Sequence, residues 1–154
     1  VTLVSIYKDR MVTGANGITV AADIVFPAGE YDDADWLICP GGMPGAENLV
    51  RFEPLTELLK KHFAAGGHVA AICAAPAVVL SQLGILAGKT ATCYPGFEPM
   101  LAQAGAKATG KRVEHDGNII TGNGPSSAIP FALAIAAATV GQSKADEVST
   151  GMLV

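Results

Sequence analysis

The chain has 154 residues, of which 50% are apolar and 16% charged, with a formal net charge of −4. It is long enough for one folded domain spanning residues 1–154 and too apolar to stay disordered. No Lys/Arg cluster interrupts the acidic balance, which excludes nucleic acid as a tight partner, because affinity for phosphates comes from clustered cations. The longest apolar stretch, Ala128–Val140, contains Pro130 and falls short of the roughly 20 residues a bilayer span needs. It is expected to be a buried helix rather than a membrane anchor. With no basic leader before the strand-like first residues, a cytoplasmic location is expected.

Val1–Ile6 reads as a short strand. Met11–Phe26 carries β-branched residues broken by Gly14 and by Asn16-Gly17, a hairpin-turn pair. Asp35–Cys39 is a compact apolar run ending in Pro40-Gly41-Gly42, the pattern of a buried parallel strand. Glu53–Ala65 places Leu55, Leu58, Leu59 and Phe63 at helical spacing before Gly66-Gly67 stops it. His68–Ile72 is the next strand, Ala75–Leu83 the next helix, Lys89–Cys93 a strand, and Glu98–Ala104 a short helix ended by Gly105. Arg112–His115 and Asn118–Thr121 form a second hairpin around Asp116-Gly117. A helix over Ser127–Val140, capped by Ser126 or Ser127, would hold Pro130 in its first turn, where a missing N–H costs little. Asp146–Thr150 predicts a last short helix. Strands alternating with helices imply an α/β fold with a mostly parallel sheet and helices on both faces.

The three cysteines, Cys39, Cys73 and Cys93, show no CxxC spacing, so neither a disulfide framework nor a metal site is signalled, and no cofactor is implied. Cys39 ends an apolar strand and reads as a buried thiol. Cys73 differs. In His68-Val-Ala-Ala-Ile-Cys-Ala-Ala-Pro76 an apolar strand runs straight into a helix with the cysteine at the junction. Ala71 and Ala75 flank it at two residues' distance, as the crowding of a sharp strand-to-helix elbow demands. Pro76 suits an early helical position. A thiol at such a junction faces unpaired amides and the positive end of the helix dipole, both of which favour the reactive thiolate. The Pro40-Gly41-Gly42-Met43-Pro44-Gly45 turn also follows a strand, so it shares the carboxyl edge of the sheet with Cys73. Backbone N–H groups at Gly41 and Gly42, with that of Ala74, could hold an oxyanion formed when a carbonyl is attacked.

LICPGGMPGAENL, then GHVAAICAAPAVVL, GKTATCYP and DGNIITGNGPSSAIPFALAI, together resemble the ThiJ/PfpI superfamily, in the branch of the Parkinson-disease-associated deglycase and the bacterial YajL and ThiJ proteins. The resemblance covers nearly the whole chain. It implies a flavodoxin-like three-layer sandwich, a homodimer, a nucleophile at Cys73, and backbone donors at Gly42 and Ala74. It also implies glyoxalase- or deglycase-type chemistry on 2-oxoaldehydes or their adducts, with chaperone and oxidative-stress roles as the alternative. Three departures stand out. Ala74 occupies the place of the peptidase branch's histidine, so a Cys-His pair is missing and a peptidase or amidotransferase activity lacks its base. Tyr94 stands where the deglycase branch often has histidine; tyrosine can donate a hydrogen bond but is a poor base near neutral pH, so Tyr94 is read either as catalytic or as lining the pocket. The family's first strand and helix, with a glutamate that contacts the cysteine, precede the point where this chain starts; a separate N-terminal fragment is therefore an expected partner beside the small carbonyl substrate.

The remaining candidates are read as structural: His62 as a solvated side chain, His68 as a capping or surface residue, His115 beside a turn, Glu47 as support for a helix N-terminus, and Trp36 as packing.

Overall fold

A computed structural model describes residues 1–27 and 31–154. Its strands are β1 (Val4–Ser5), β2 (Met11–Thr13), β3 (Thr19–Ala21), β4 (Ile24–Val25), β5 (Trp36–Cys39), β6 (His68–Ile72), β7 (Thr90–Ala91), β8 (Lys107–Ala108), β9 (Val113–Asp116) and β10 (Ile119–Gly122). The helices are α1 (Gly45–Arg51), α2 (Glu53–Ala64), α3 (Glu98–Gln103), α4 (Ala128–Val140) and α5 (Gln142–Gly151), with a π turn at Pro76–Leu80 and a 3-10 turn at Pro125–Ser127.

The central sheet runs β5-β6-β10-β9, parallel at the first two pairings and antiparallel at the last. β1 pairs in parallel with β4, and β7 with β8, as two separate ladders. Side-chain alternation divides the core into two layers. Val69 and Ala71 of β6 and Ile119 of β10 join Ala46, Leu59, Leu80 and Leu101 in a large cluster beneath α1, α2, the π turn and α3. Their neighbours Ala70 and Ile120 face the other way, onto Phe131 of α4. Helices on both faces of a mostly parallel sheet make this a flavodoxin-like α/β sandwich.

Both turn dipeptides act as read from the sequence: Gly17 and Gly117 take positive φ at the tips of the β2–β3 and β9–β10 hairpins. Other expectations need correction. Residues 75–83 hold only a five-residue π turn, in which the Ser81 N–H reaches back to the Pro76 carbonyl. α1, which the sequence reading did not delimit, follows the glycine turn directly. α4 is not a buried helix: Phe131 is its one buried residue, because its apolar contact with the sheet runs along the Phe131, Ala134 and Ile135 stripe, and Ile129 and Val140 are exposed. Ser127 precedes α4 without capping it, since its hydroxyl is committed to the Asn123 side chain at 2.6 Å. β5 is an edge strand of the described sheet, with Ile38 43% exposed, rather than a buried one.

Candidate active site

The elbow after β6 is built from backbone. Cys73 has φ 66, a left-handed conformation that, among the described residues, no other non-glycine before the C-terminal Leu153 adopts. A side chain there costs about 1–2 kcal/mol. Strain of this kind persists where the surroundings over-determine it and gathers at functional positions. Here two neighbouring strand ends pin the elbow. The Cys73 N–H donates to the Gly122 carbonyl at the end of β10, at 2.9 Å. The Cys73 carbonyl accepts from the Tyr94 N–H, just past β7, at 2.8 Å. A third strand end closes in from β5: a Cβ added to Gly41 would lie 2.5 Å from the Cys73 Cβ, 2.6 Å from the Ile72 carbonyl oxygen and 3.2 Å from the Ala74 nitrogen. Only glycine fits that approach.

The thiol of Cys73 is half-buried, resting on the edge of the large apolar cluster, whereas Cys39 and Cys93 are inside it. Burial pushes the Cys39 thiol up to about 12. Cys93 is pushed up to about 11, by burial first, then by the Glu98 carboxylate and by the charge of Cys73. Among the described residues, no acceptor is bonded to the amide N–H of Gly41, Gly42 or Ala74. Ala74 is almost wholly buried, and an unpaired buried amide is uncommon unless something else receives it. Gly42, at φ +86, turns the chain away after Gly41 and anchors α1 through the Ala46 N–H, which donates to its carbonyl.

The sequence-predicted residues therefore meet at one sheet edge. Gly41 touches Cys73 and Ala74, Gly42 follows, and Tyr94 is tied to Cys73 through its backbone. Tyr94 is 44% exposed; its ring lies edge-on to Phe97 and so near Gly124 that a Cβ there would meet it at 3.5 Å. The helix dipole expected behind Cys73 is weaker than the sequence reading supposed, because a five-residue π turn aligns few peptide units. The local amide of Ala74 remains. Sequence reasoning missed Gly122 and Gly124, which hold the elbow and seat Tyr94. Their Gly-x-Gly spacing directly after a strand was the available signal.

None of the three histidines joins this edge. His62 is not solvated: it bonds the His68 carbonyl at 3.1 Å beneath Gly67. His68 stacks on Trp36, with centroids 4.7 Å apart, and His115 bonds the Gly117 carbonyl. Glu47 pairs with Arg51 at 3.5 Å. A shallow cavity of about 380 Å³ lies between α1, the π turn and α3, with Met43, Val78, Phe97 and Met100 in its wall. Among the described residues no group of three or more His, Cys, Asp or Glu side chains is arranged to hold a metal ion, and no helix is long and apolar enough to cross a membrane.

Comparison with known proteins places this geometry. The chain is 38% identical over its full length to the DJ-1 homolog A of Arabidopsis thaliana, of which it spans 39%. It is 36% identical over 80% of its length to a deglycase of Pyrococcus abyssi, spanning 73% of that protein. The structure of oxidized Toxoplasma gondii DJ-1 superposes with a TM-score of 0.91 at 37% identity, over 99% of this chain and 82% of that one. The DJ-1/PfpI family model matches residues 1–138. The chain belongs to the DJ-1/PfpI family.

Proposed function

We propose that the protein is a cysteine-dependent enzyme of the glyoxalase or deglycase type, acting on small 2-oxoaldehydes or their adducts. The observation that carries this is the strained, half-exposed Cys73 with two unbonded amides, those of Gly42 and Ala74, at the same strand edge. The 36% identical deglycase supports the reaction class.

In this reading the Cys73 thiolate attacks the aldehyde carbon. A C–S bond forms and the carbonyl electron pair moves onto oxygen, where the Gly42 and Ala74 N–H groups hold it. Protonation of that oxygen gives a hemithioacetal. Solvent water takes the proton from the former aldehyde carbon, and the neighbouring carbonyl carbon is reprotonated, giving a thioester. Water then cleaves the C–S bond, so that one oxoaldehyde and one water become one hydroxy acid and the thiol is restored. Tyr94 is the proton donor of the scheme, since a phenol gives a proton more readily than it takes one near neutral pH. Tyr94 is exposed beside this elbow, which suits a small, hydrated aldehyde or one attached to a larger amine or thiol.

The test is lactate formation from methylglyoxal by the wild type and by Cys73→Ser. The serine variant should lose at least 100-fold in turnover, the scale of losing an activated nucleophile. Equal rates would end the proposal. A second reading, oxidation sensing through Cys73, is favoured by the same half-exposed thiol and by the similarity to a DJ-1 described in its oxidized form. Selective oxidation of Cys73 by peroxide without any turnover of oxoaldehydes would favour it over the enzyme.

A further inference from the structure

We propose that Cys93 is a resolving thiol for Cys73: once a hydroperoxide oxidises Cys73, the two residues close a reversible intramolecular disulfide. The inference rests on Cys73 being the nucleophile of the site.

Three observations single out Cys93. It lies immediately before Tyr94, whose N–H is bonded to the Cys73 carbonyl at 2.8 Å, so one hydrogen bond joins the two cysteine-bearing turns. It belongs to the apolar cluster against which Cys73 packs, and is itself 4% exposed. It also feels the charge of Cys73, whereas the equally buried Cys39 is perturbed by burial alone. The chain therefore holds one half-buried thiol and, in the apolar cluster it packs against, a second that stays protonated and sheltered. Such a pair separates the two roles. The more accessible thiol meets the oxidant, and the sheltered one meets only the product.

The steps balance. The Cys73 thiolate attacks one peroxide oxygen, an S–O bond forms, and the O–O bond breaks. The alcohol or water that leaves takes up a proton, so that sulfur is oxidised and the peroxide reduced. The Cys93 sulfur then attacks the Cys73 sulfur, forming S–S and breaking S–O. The departing hydroxide leaves as water with the proton of Cys93. An external dithiol returns both residues to thiols. Closing the link diverts Cys73 from the sulfinic acid, a state that thiols do not reverse. Because Cys93 holds its proton until well above neutrality, closure should quicken as pH rises.

The whole protein is treated with stoichiometric hydrogen peroxide, blocked with a maleimide and mapped as peptides without reduction. The expected product is a Cys73–Cys93 cross-linked pair that dithiothreitol separates and that persists in Cys39→Ser. In Cys93→Ser and Cys93→Ala, each checked for a native melting curve, the link disappears and Cys73 sulfinate accumulates several-fold faster. Equal sulfinate rates in wild type and both Cys93 variants, or a link through Cys39, overturn the inference while Cys73 itself still reacts with iodoacetamide. A Cys73 inert to both reagents overturns the reading of the site, and this inference with it.

Discussion

Gly41→Ala puts the assembly of the site to its sharpest test. The added methyl would meet the Cys73 Cβ at 2.5 Å and the Ile72 carbonyl oxygen at 2.6 Å, where ordinary contacts between carbons lie near 3.5–4.0 Å. Neither neighbour can rotate away, because one is the first atom of a side chain and the other is backbone inside the sheet. Relief requires the β5 turn and the elbow to separate by about 1 Å. Held in place, the overlap costs about 3 kcal/mol, the upper end of overpacking in a tight core. For a chain of this size that lowers the melting temperature by about 6–12 °C. If the turn shifts instead, Gly41 and the Gly42 amide that follows it move away from Ala74, and losing one oxyanion donor lowers kcat by about 100- to 1,000-fold. Thermal unfolding and methylglyoxal turnover of the same preparation read both routes. Gly45→Ala is the control, since nothing lies within 4 Å of its added carbon, and it should stay within about 0.5 kcal/mol of wild type. A Gly41→Ala protein that melts within about 2 °C of wild type and turns over at its rate would refute the three-strand construction of the elbow.

Other outcomes follow from the same geometry. Cys73→Gly should abolish turnover yet raise stability by about 1 kcal/mol, because glycine adopts φ 66 without strain; a higher denaturant midpoint checks it, and a lower one contradicts it. Tyr94→Phe keeps the backbone bond to Cys73 and removes only the hydroxyl, so iodoacetamide labelling of Cys73 should be unchanged while kcat falls by about 100-fold; unchanged kcat would confine Tyr94 to lining the pocket. Asp116 accepts the Thr90 N–H at 2.8 Å, the Thr90 hydroxyl at 3.2 Å and Lys89 at 3.4 Å, which together hold its carboxyl below the usual 3.8, the Thr90 amide foremost. The fold favours the carboxylate, so this contribution is complete above 3.8 and is lost as pH falls through the depressed value. Asp116→Asn should therefore cost about 1 kcal/mol at pH 7 and progressively less in acid; a difference in urea midpoints that does not shrink by pH 3 would show that Asp116 contributes no pH-linked stability.

The parts of this fold that sequence displays are those fixed by near neighbours. Asn16-Gly17 and Asp116-Gly117 announce their hairpins because a glycine can supply the positive φ that a tight turn needs. The elbow at Cys73 shows through Ala71, Ala75 and Pro76, since crowding leaves room for little else at those spacings. The contact of Gly41 with Cys73 is different in kind. It depends on the register of β5 against β6, which sets Cys39 opposite Ala71, and no local pattern records that. The closeness of Cys93 to Cys73 is hidden for the same reason. α4 misled because a uniformly apolar helix carries no periodicity to say which side is covered. His62 misled because a helix rich in lysine suggests solvent, whereas the packing that shelters it comes from Gly67 after the helix ends.

Among the described residues, the hydrogen bonds that hold the Cys73 backbone are made by other backbone, the Gly122 carbonyl and the Tyr94 amide, and the bare α-carbon of Gly41 closes in beside them. The site therefore inherits its precision from the pairing of the strands, not from a shell of polar side chains. A one-residue slip of β6 would exchange Val69 and Ala71 of the large cluster with Ala70 and Ile72 of the α4 side, changing the side-chain volumes in both packed layers. The elbow cannot relax out of its left-handed conformation without parting from β10 and from the chain after β7 together. Strain at Cys73 is thus sustained by the same hydrophobic core that holds the sheet, and the reactivity of the thiol should persist undiminished until the sheet itself unfolds.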